Sequence, residues 1–182
     1  MVPMIEKWKM ARDKGEHAGG ILMDLSNAFA TINHELMIAK LHAYGFSRDA
    51  VKIAHSYLSD RWHSKIDGAY SSWKEILCGV PQGSVNGPKR FNIYLNDLFF
   101  LFLNTGACNI ANDTTPYACD ANISTLLRNL ESDAASAIMW FDANYMKSNQ
   151  SKCHFMIASP SAEEFWIQVG EQIICASKQE KR

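Results

Sequence analysis

The chain has 182 residues, of which 47% are hydrophobic and 20% charged, and its formal net charge is −1. That length suits one domain able to bury roughly 70% of its unfolded surface, and the composition excludes a disordered tail or a low-complexity segment. The neutral balance lacks the basic excess that a nucleic-acid-binding chain uses to neutralise phosphates, so either nucleic acid is not the partner or the basic parts lie outside these residues.

The first expected element is a helix over 5–14, broken between Gly15 and Gly20. GILMDL then reads as a short strand, apolar on both faces and hence buried, with Asp24 near its C-terminal end. Helices follow at about 32–44 and 48–59, separated by Gly45. In the second, Ser47 is a ready N-cap, and Val51, Ala54, His55 and Leu58 fall on one stripe, which makes His55 a packed core histidine. Residues 62–80 alternate loosely around Gly68, as a hairpin does, and PQGSVNGP is a loop. A helix is expected from Pro88 to Leu103, with the proline in its first turn.

A hairpin at 108–118 comes next, then the clearest helix, with Ile123, Leu126, Leu127, Leu130, Ala134, Ile138 and Phe141 on one stripe. SKCHFMIA and FWIQVGEQII close the sequence as strands. This order predicts an α+β fold, helices packed on one face of a sheet.

Other features set boundaries. The N-terminus MVPMIEKWKMARDKGEH is charged and has no apolar core, so it does not read as a signal peptide. FNIYLNDLFFLFL is too short and too polar to span a bilayer, so no membrane partner is expected. The five cysteines, Cys78, Cys108, Cys119, Cys153 and Cys175, contain no C-x-x-C pair. Free thiols in an intracellular, reducing compartment are the plain reading.

Chemistry concentrates at two aspartates. Burying a carboxylate at a strand end is costly unless a partner or a metal compensates, and Asp24 is such a case. Asp113, at the tip of the 108–118 hairpin, is the natural second member. Clustered carboxylates suit Mg²⁺. The competing reading is local: Asn112-Asp113 is a good pair for a hairpin turn and needs no function.

The segments LMDLSNAFATINHELMIAKLHAYGF, SYLSDRW, GVPQGSVNGP, FNIYLNDL, IANDTTPY and WFDANYMKSNQSKCHFMIAS, in this order, resemble the palm of reverse transcriptases of non-LTR, jockey-like retrotransposons. The similarity runs from about Glu6 to Ile174. It implies a polymerase palm-like antiparallel sheet with helices on one face, and an RNA-directed DNA polymerase using Mg²⁺ or Mn²⁺, an RNA template, a DNA primer and deoxynucleoside triphosphates. It implies residues 1–182 to be a single partial domain, palm with a remnant of fingers and without a thumb. The family works where chromosomal DNA is, which puts the nucleus among the intracellular options, although no convincing basic import cluster stands in the sequence.

By position, the resemblance makes Asp24 the first metal-binding aspartate and gives the Leu25 carbonyl to the nucleotide-side metal. Phe29 matches the aromatic residue beneath the incoming sugar, the alternative being an ordinary core phenylalanine. Gln82 and Gly83 match the loop against nucleotide and template, and Lys152 falls near a late lysine proposed to protonate the leaving pyrophosphate.

The sequence also departs from the family. The hairpin tip, Phe/Tyr-Ala-Asp-Asp in the family, is Ile110-Ala111-Asn112-Asp113 here. A neutral amide at Asn112 cannot bridge two cations as a carboxylate does, so crippled polymerisation is expected. Ala30 replaces a second aspartate, and Lys89 and Arg90 place positive charge at a helix N-terminus where the family has apolar residues. Two alternatives therefore stand beside an impaired polymerase fragment: a non-catalytic palm-fold module binding nucleic acid or protein, and an inert, drifting product.

Overall fold

The computed structural model describes residues 2–66, 68–80, 86–110, 113–161 and 163–177. In chain order the elements are α1 (Val2–Asp13), β1 (His17–Leu22), β2 (Leu25–Ser26), α2 (His34–Ala43) and α3 (Arg48–Leu58). The hairpin β3 (Trp62–Ile66) and β4 (Ala69–Glu75) precedes α4 (Gly87–Leu95), β5 (Gly106–Ile110) and β6 (Asp113–Asp120). Then come α5 (Ile123–Ala143), β7 (Lys147–Ser148), β8 (His154–Ala158), β9 (Trp166–Val169) and β10 (Gln172–Ser177). They form two compact units: one of residues 1–26, 97–143 and 147–182, the other of 27–96 and 144–146.

The first unit is built on a six-stranded sheet in the order β5-β6-β1-β8-β10-β9, antiparallel except between β8 and β10. Its long helix starts where Asn122 caps it, the side-chain oxygen accepting from the Thr125 N–H at 3.1 Å. Leu126, Leu130, Ala134, Ala137 and Phe141 are fully buried along α5. The helix lies close because Gly19 of β1 has no side chain: a Cβ there would sit 3.1 Å from Leu130 Cδ1 and 3.3 Å from Leu126 Cδ2. The next residue points to the opposite face. There a Cβ on Gly20 would meet Trp8 of α1 at 3.3 Å. The expected sheet and helix layer are present, and α1 adds a cover on the second face.

The second unit gathers α2, α3 and α4 around Met37, Leu41, Val51, Leu58, Phe91, Tyr94 and Leu95, with the β3–β4 hairpin. Asn33 and Ser47 cap α2 and α3, accepting from the N–H groups of Leu36 and Ala50. Lys40 is buried because its ammonium donates to the Tyr94 carbonyl at 3.0 Å and lies over the Tyr94 ring. Such pairing is what makes a buried cation tolerable.

Three expectations need correction. His55 is exposed, not core, and its ring nitrogen is 3.1 Å from the Ser59 hydroxyl; periodicity placed it one position off the buried stripe of Val51, Ala54 and Leu58. The helix beginning at Gly87 does not reach Leu103: it tightens into a 3₁₀ segment at Asn96–Leu101. FWIQVGEQII is not one strand but the β9–β10 hairpin, because Gly170 adopts a positive φ of 60° and turns the chain. Lys89 is exposed, so only Arg90 brings charge toward packed side chains.

Candidate active site

The two aspartates meet because of strand register. β1 and β6 run antiparallel, pairing His17 with Asp120 and Gly20 with Tyr117. The ladder lapses past Gly20, opposite Pro116, which has no N–H to give. It resumes where Met23 and Thr114 exchange both backbone bonds, at 2.9 and 3.1 Å. One further step in that register sets Asp24 across from Asp113, the first residue of β6. Both flanking side chains, Met23 and Thr114, are fully buried, so the strand ends are held by the core.

A second set of contacts fixes Asp24 from the other side. β2 pairs with β7, Leu25 opposite Ser148, and the Asn149 N–H donates to the Asp24 carbonyl at 2.8 Å. The turn that follows, Gln150–Lys152, brings the Lys152 ammonium to 3.8 Å from Asp24 Oδ2. Cys153 is buried next to it and donates its thiol hydrogen to the Asn149 carbonyl at 3.6 Å. Burial pushes the Cys153 thiol up from its ordinary value, so it is a packed thiol and not a ready nucleophile.

The electrostatics of the pair follow from crowding. Burial raises the Asp113 carboxyl above the ordinary carboxylate value, and the Asp24 charge and a hydrogen bond to Asp24 push it the same way. Lys152 opposes them. Asp24, Asp113 and Lys152 together leave one net negative charge among oxygen donors, an arrangement that a hard divalent cation would relieve.

The structure thus brings together Asp24, Asp113 and Lys152, with Leu25 adjacent and its side chain buried. Phe29 belongs to the other unit, on a short 3₁₀ turn, where its half-buried ring stacks on Phe91 with centroids 4.7 Å apart. Asn112, Gln82 and Gly83 lie outside the described residues. Among the described residues no group of three or more His, Cys, Asp or Glu side chains converges on one point. Sequence reasoning missed Asn149 and Cys153, the residues that brace Asp24. Their only sequence signal was their place in the short SNQSKC turn after the long helix.

Comparison with known proteins adds the following. The family model for reverse transcriptase (RNA-dependent DNA polymerase) matches residues 2–179. The RNA-directed DNA polymerase from mobile element jockey of Drosophila melanogaster is 34% identical over 89 residues, 48% of this chain and 10% of that protein. The Pol polyprotein from type-1 retrotransposable element R2 of Popillia japonica is 27% identical over 163 residues, 82% of this chain and 26% of that protein. The chain therefore spans from a tenth to about a quarter of these relatives' lengths. Among solved structures, apo telomerase from Candida tropicalis superposes with a TM-score of 0.63 at 12% identity, over 95% of this chain and 36% of that one. At that identity the likeness speaks for the fold alone.

Proposed function

The chain belongs to the reverse transcriptase family, and on that premise we propose that it is the palm, with a remnant of fingers, of an RNA-directed DNA polymerase from a non-LTR mobile element, impaired by Asn112. The observation that carries the reading is the register that sets Asp24 opposite Asp113 at adjoining strand ends. Reverse transcriptases use divalent metals as a family. Two carboxylates brought together, Asp113 holding its proton more tightly through burial and then through the neighbouring Asp24, fit that requirement.

When bound, Mg²⁺ or Mn²⁺ supplies charge neutralisation for phosphate oxygens and lowers the pKa of an attacking hydroxyl. Asp24 and Asp113 would hold it, with the Leu25 carbonyl beside them. Asn112 offers a neutral amide oxygen where the family has a carboxylate, which weakens the site. Each 1.4 kcal/mol of lost stabilisation costs about tenfold in rate. Lys152 already sits at the carboxylates, where its ammonium could hold the proton destined for the leaving pyrophosphate. Phe29, braced by Phe91, would lie under the incoming sugar and exclude a 2′-hydroxyl. Gln82 and Gly83 would face nucleotide and template. RNA template, DNA primer and deoxynucleoside triphosphates are the substrates on this reading, and the nucleus is its place of work.

The Lys152–Asp24 ion pair favours a second reading, a palm fold that no longer takes a metal because a lysine supplies the counter-charge. Calorimetry of Mn²⁺ binding to the chain and to Asn112→Asp separates the two. A gain of about tenfold or more, roughly 1.4 kcal/mol, in Asn112→Asp supports a decayed metal site. No binding by either protein, both folded by circular dichroism, rejects it.

A further inference from the structure

Between α1 and the β5–β6 edge of the sheet, the first unit holds a cavity of about 330 Å³, large enough for a small organic ligand. Its wall takes Tyr117 and Cys119 from β6, about 13 Å or more along that strand from Asp113 at roughly 3.3 Å per residue. Lys7, Met10 and Ala11 line it from α1, and Lys14 lines it just past the helix end, where its N–H still donates to the Met10 carbonyl at 3.2 Å. Their spacing is i, i+3, i+4, i+7, that of one helix face. Met10 and Ala11 form an apolar middle, and a lysine stands at each end, two turns or about 10.5 Å apart. Neither lysine forms an ion pair with a described carboxylate.

Tyr117 supplies the floor and is only 7% exposed. Its cross-strand partner is Gly106 of β5, where a Cβ would lie 2.8 Å from Tyr117 Cζ and 3.0 Å from its hydroxyl oxygen. Glycine there lets the ring lie across β5, and because Gly106 is itself in the wall, the phenol end reaches the cavity. The Lys7 ammonium stands over the ring, 5.5 Å from its centroid. The Tyr117 hydroxyl has no hydrogen-bond partner among the described residues, and an unmet donor in a buried residue is costly. The Cys119 thiol donates to the Lys7 carbonyl at 3.8 Å. Burial, and then the Glu16 charge, push that thiol above its ordinary value, so it adds no anion to the wall. Glu16 is the carboxylate among the described lining residues. Two ammoniums against one carboxylate leave one net positive charge.

We propose that this cavity binds a flat aromatic monocarboxylate, whose carboxylate accepts from the Tyr117 hydroxyl and pairs with Lys7 while its apolar body lies on Met10 and Ala11. A carboxylate meets the unpaired phenol donor and the unpaired ammonium together, and such charge-assisted bonds are the strong ones. The Tyr117 ring offers a flat surface against which an aromatic body packs. Charge balance selects the monoanion. One negative charge neutralises the wall, whereas a phosphate dianion or a nucleoside triphosphate brings further charge that Glu16 repels. A small inorganic anion would also leave Met10 and Ala11 uncovered. The site uses neither Asp24 nor Asp113 and needs no metal, so it does not rest on the polymerase reading.

The test is calorimetric titration of 2-naphthoate into the full chain in EDTA, which keeps the outcome separate from any metal site. Tyr117→Phe, which keeps the ring and loses the hydroxyl, and Lys7→Gln are each expected to weaken binding about tenfold, with the circular dichroism spectrum unaltered. Lys52→Gln, on α3 in the other unit, leaves it unchanged. Neutral 2-naphthamide is expected to bind about tenfold more weakly than 2-naphthoate. Absence of 2-naphthoate binding at millimolar concentration overturns the proposal. So does full affinity in the folded Lys7→Gln, Tyr117→Phe double variant, or equal binding of 2-naphthamide, which would make the cavity an apolar patch only. Displacement of 2-naphthoate by an equal concentration of inorganic phosphate or dTTP overturns it too, by showing a phosphate site.

Discussion

Replacing Asp133 by alanine should cost the protein a large share of its stability, although no sequence pattern marks this residue. Asp133 lies on the buried face of α5 at 1% exposure. Its Oδ2 accepts from the Asn104 N–H at 3.0 Å, the Thr105 N–H at 2.8 Å and the Thr105 hydroxyl at 2.8 Å, while Oδ1 accepts from the Asn104 side-chain amide at 2.8 Å. One carboxylate thus latches the segment that leads into β5. The two side-chain donors can turn to water when the acceptor is gone. The two backbone N–H groups are fixed by the chain, and each costs about 1–3 kcal/mol when left unmet. Relief from burying the charge offsets part of this, so the net loss should be about 3 kcal/mol, against a total of about 5–15 kcal/mol for a typical domain. With a urea slope of about 2 kcal/mol/M, the midpoint should fall by about 1.5 M, followed by tryptophan fluorescence. Asp133→Asn, which keeps one oxygen acceptor, should lose roughly half as much. A loss no larger than that of Asp142→Ala, an exposed aspartate on the same helix, would refute the reasoning, because the carboxylate would then not be the acceptor for those amides.

Two further outcomes follow from the geometry. Because the Asp113 carboxyl is raised from its ordinary 3.8, the folded state holds that proton more tightly than the unfolded chain. Its favourable contribution is complete below 3.8 and is lost as pH rises through the raised folded value. Asp113→Asn should therefore flatten the pH dependence of the urea midpoint across that window, and an unchanged profile would count against a carboxyl raised by burial and by its Asp24 neighbour. Gly79 has φ of 87°, and a Cβ there would meet the Ala30 backbone at 3.1 Å. Gly79→Ala should cost about 2–4 kcal/mol in thermal melts, whereas Gly45→Ala, at φ of 80° with nothing within 4 Å, should cost only about 1–2 kcal/mol. Equal losses would show that the close approach of Ala30 is not felt.

Much of the molecule was legible without coordinates because it is local. Ser47 announces the helix it caps, the stripe of Leu126, Leu130, Ala134 and Phe141 announces α5, and Pro88 marks the start of α4. Those signals act over a turn or two, where helical period and unmet N–H groups dictate the outcome. The ordered motifs LMDLSNAF, PQGS and IANDTTPY also pointed to the family that the family model matches over residues 2–179. Where that local reasoning failed, tertiary context had decided: His55 lies one position off the buried stripe of Val51, Ala54 and Leu58 and is exposed.

The site itself belongs to the tertiary structure. Nothing near Asp24 in the chain says that it faces Asp113; that follows from the β1–β6 register, from the lapse opposite Pro116 and from the rejoining bridge at Met23 and Thr114. Nor does the sequence say that Lys152 sits at their edge or that Asp133 anchors the approach to β5. The residue types alone determined that carboxylates were available and that a turn could hold one of them. Which charges meet was decided by strand register and core packing, because Coulomb and hydrogen-bond energies depend on separations in space that chain order does not fix.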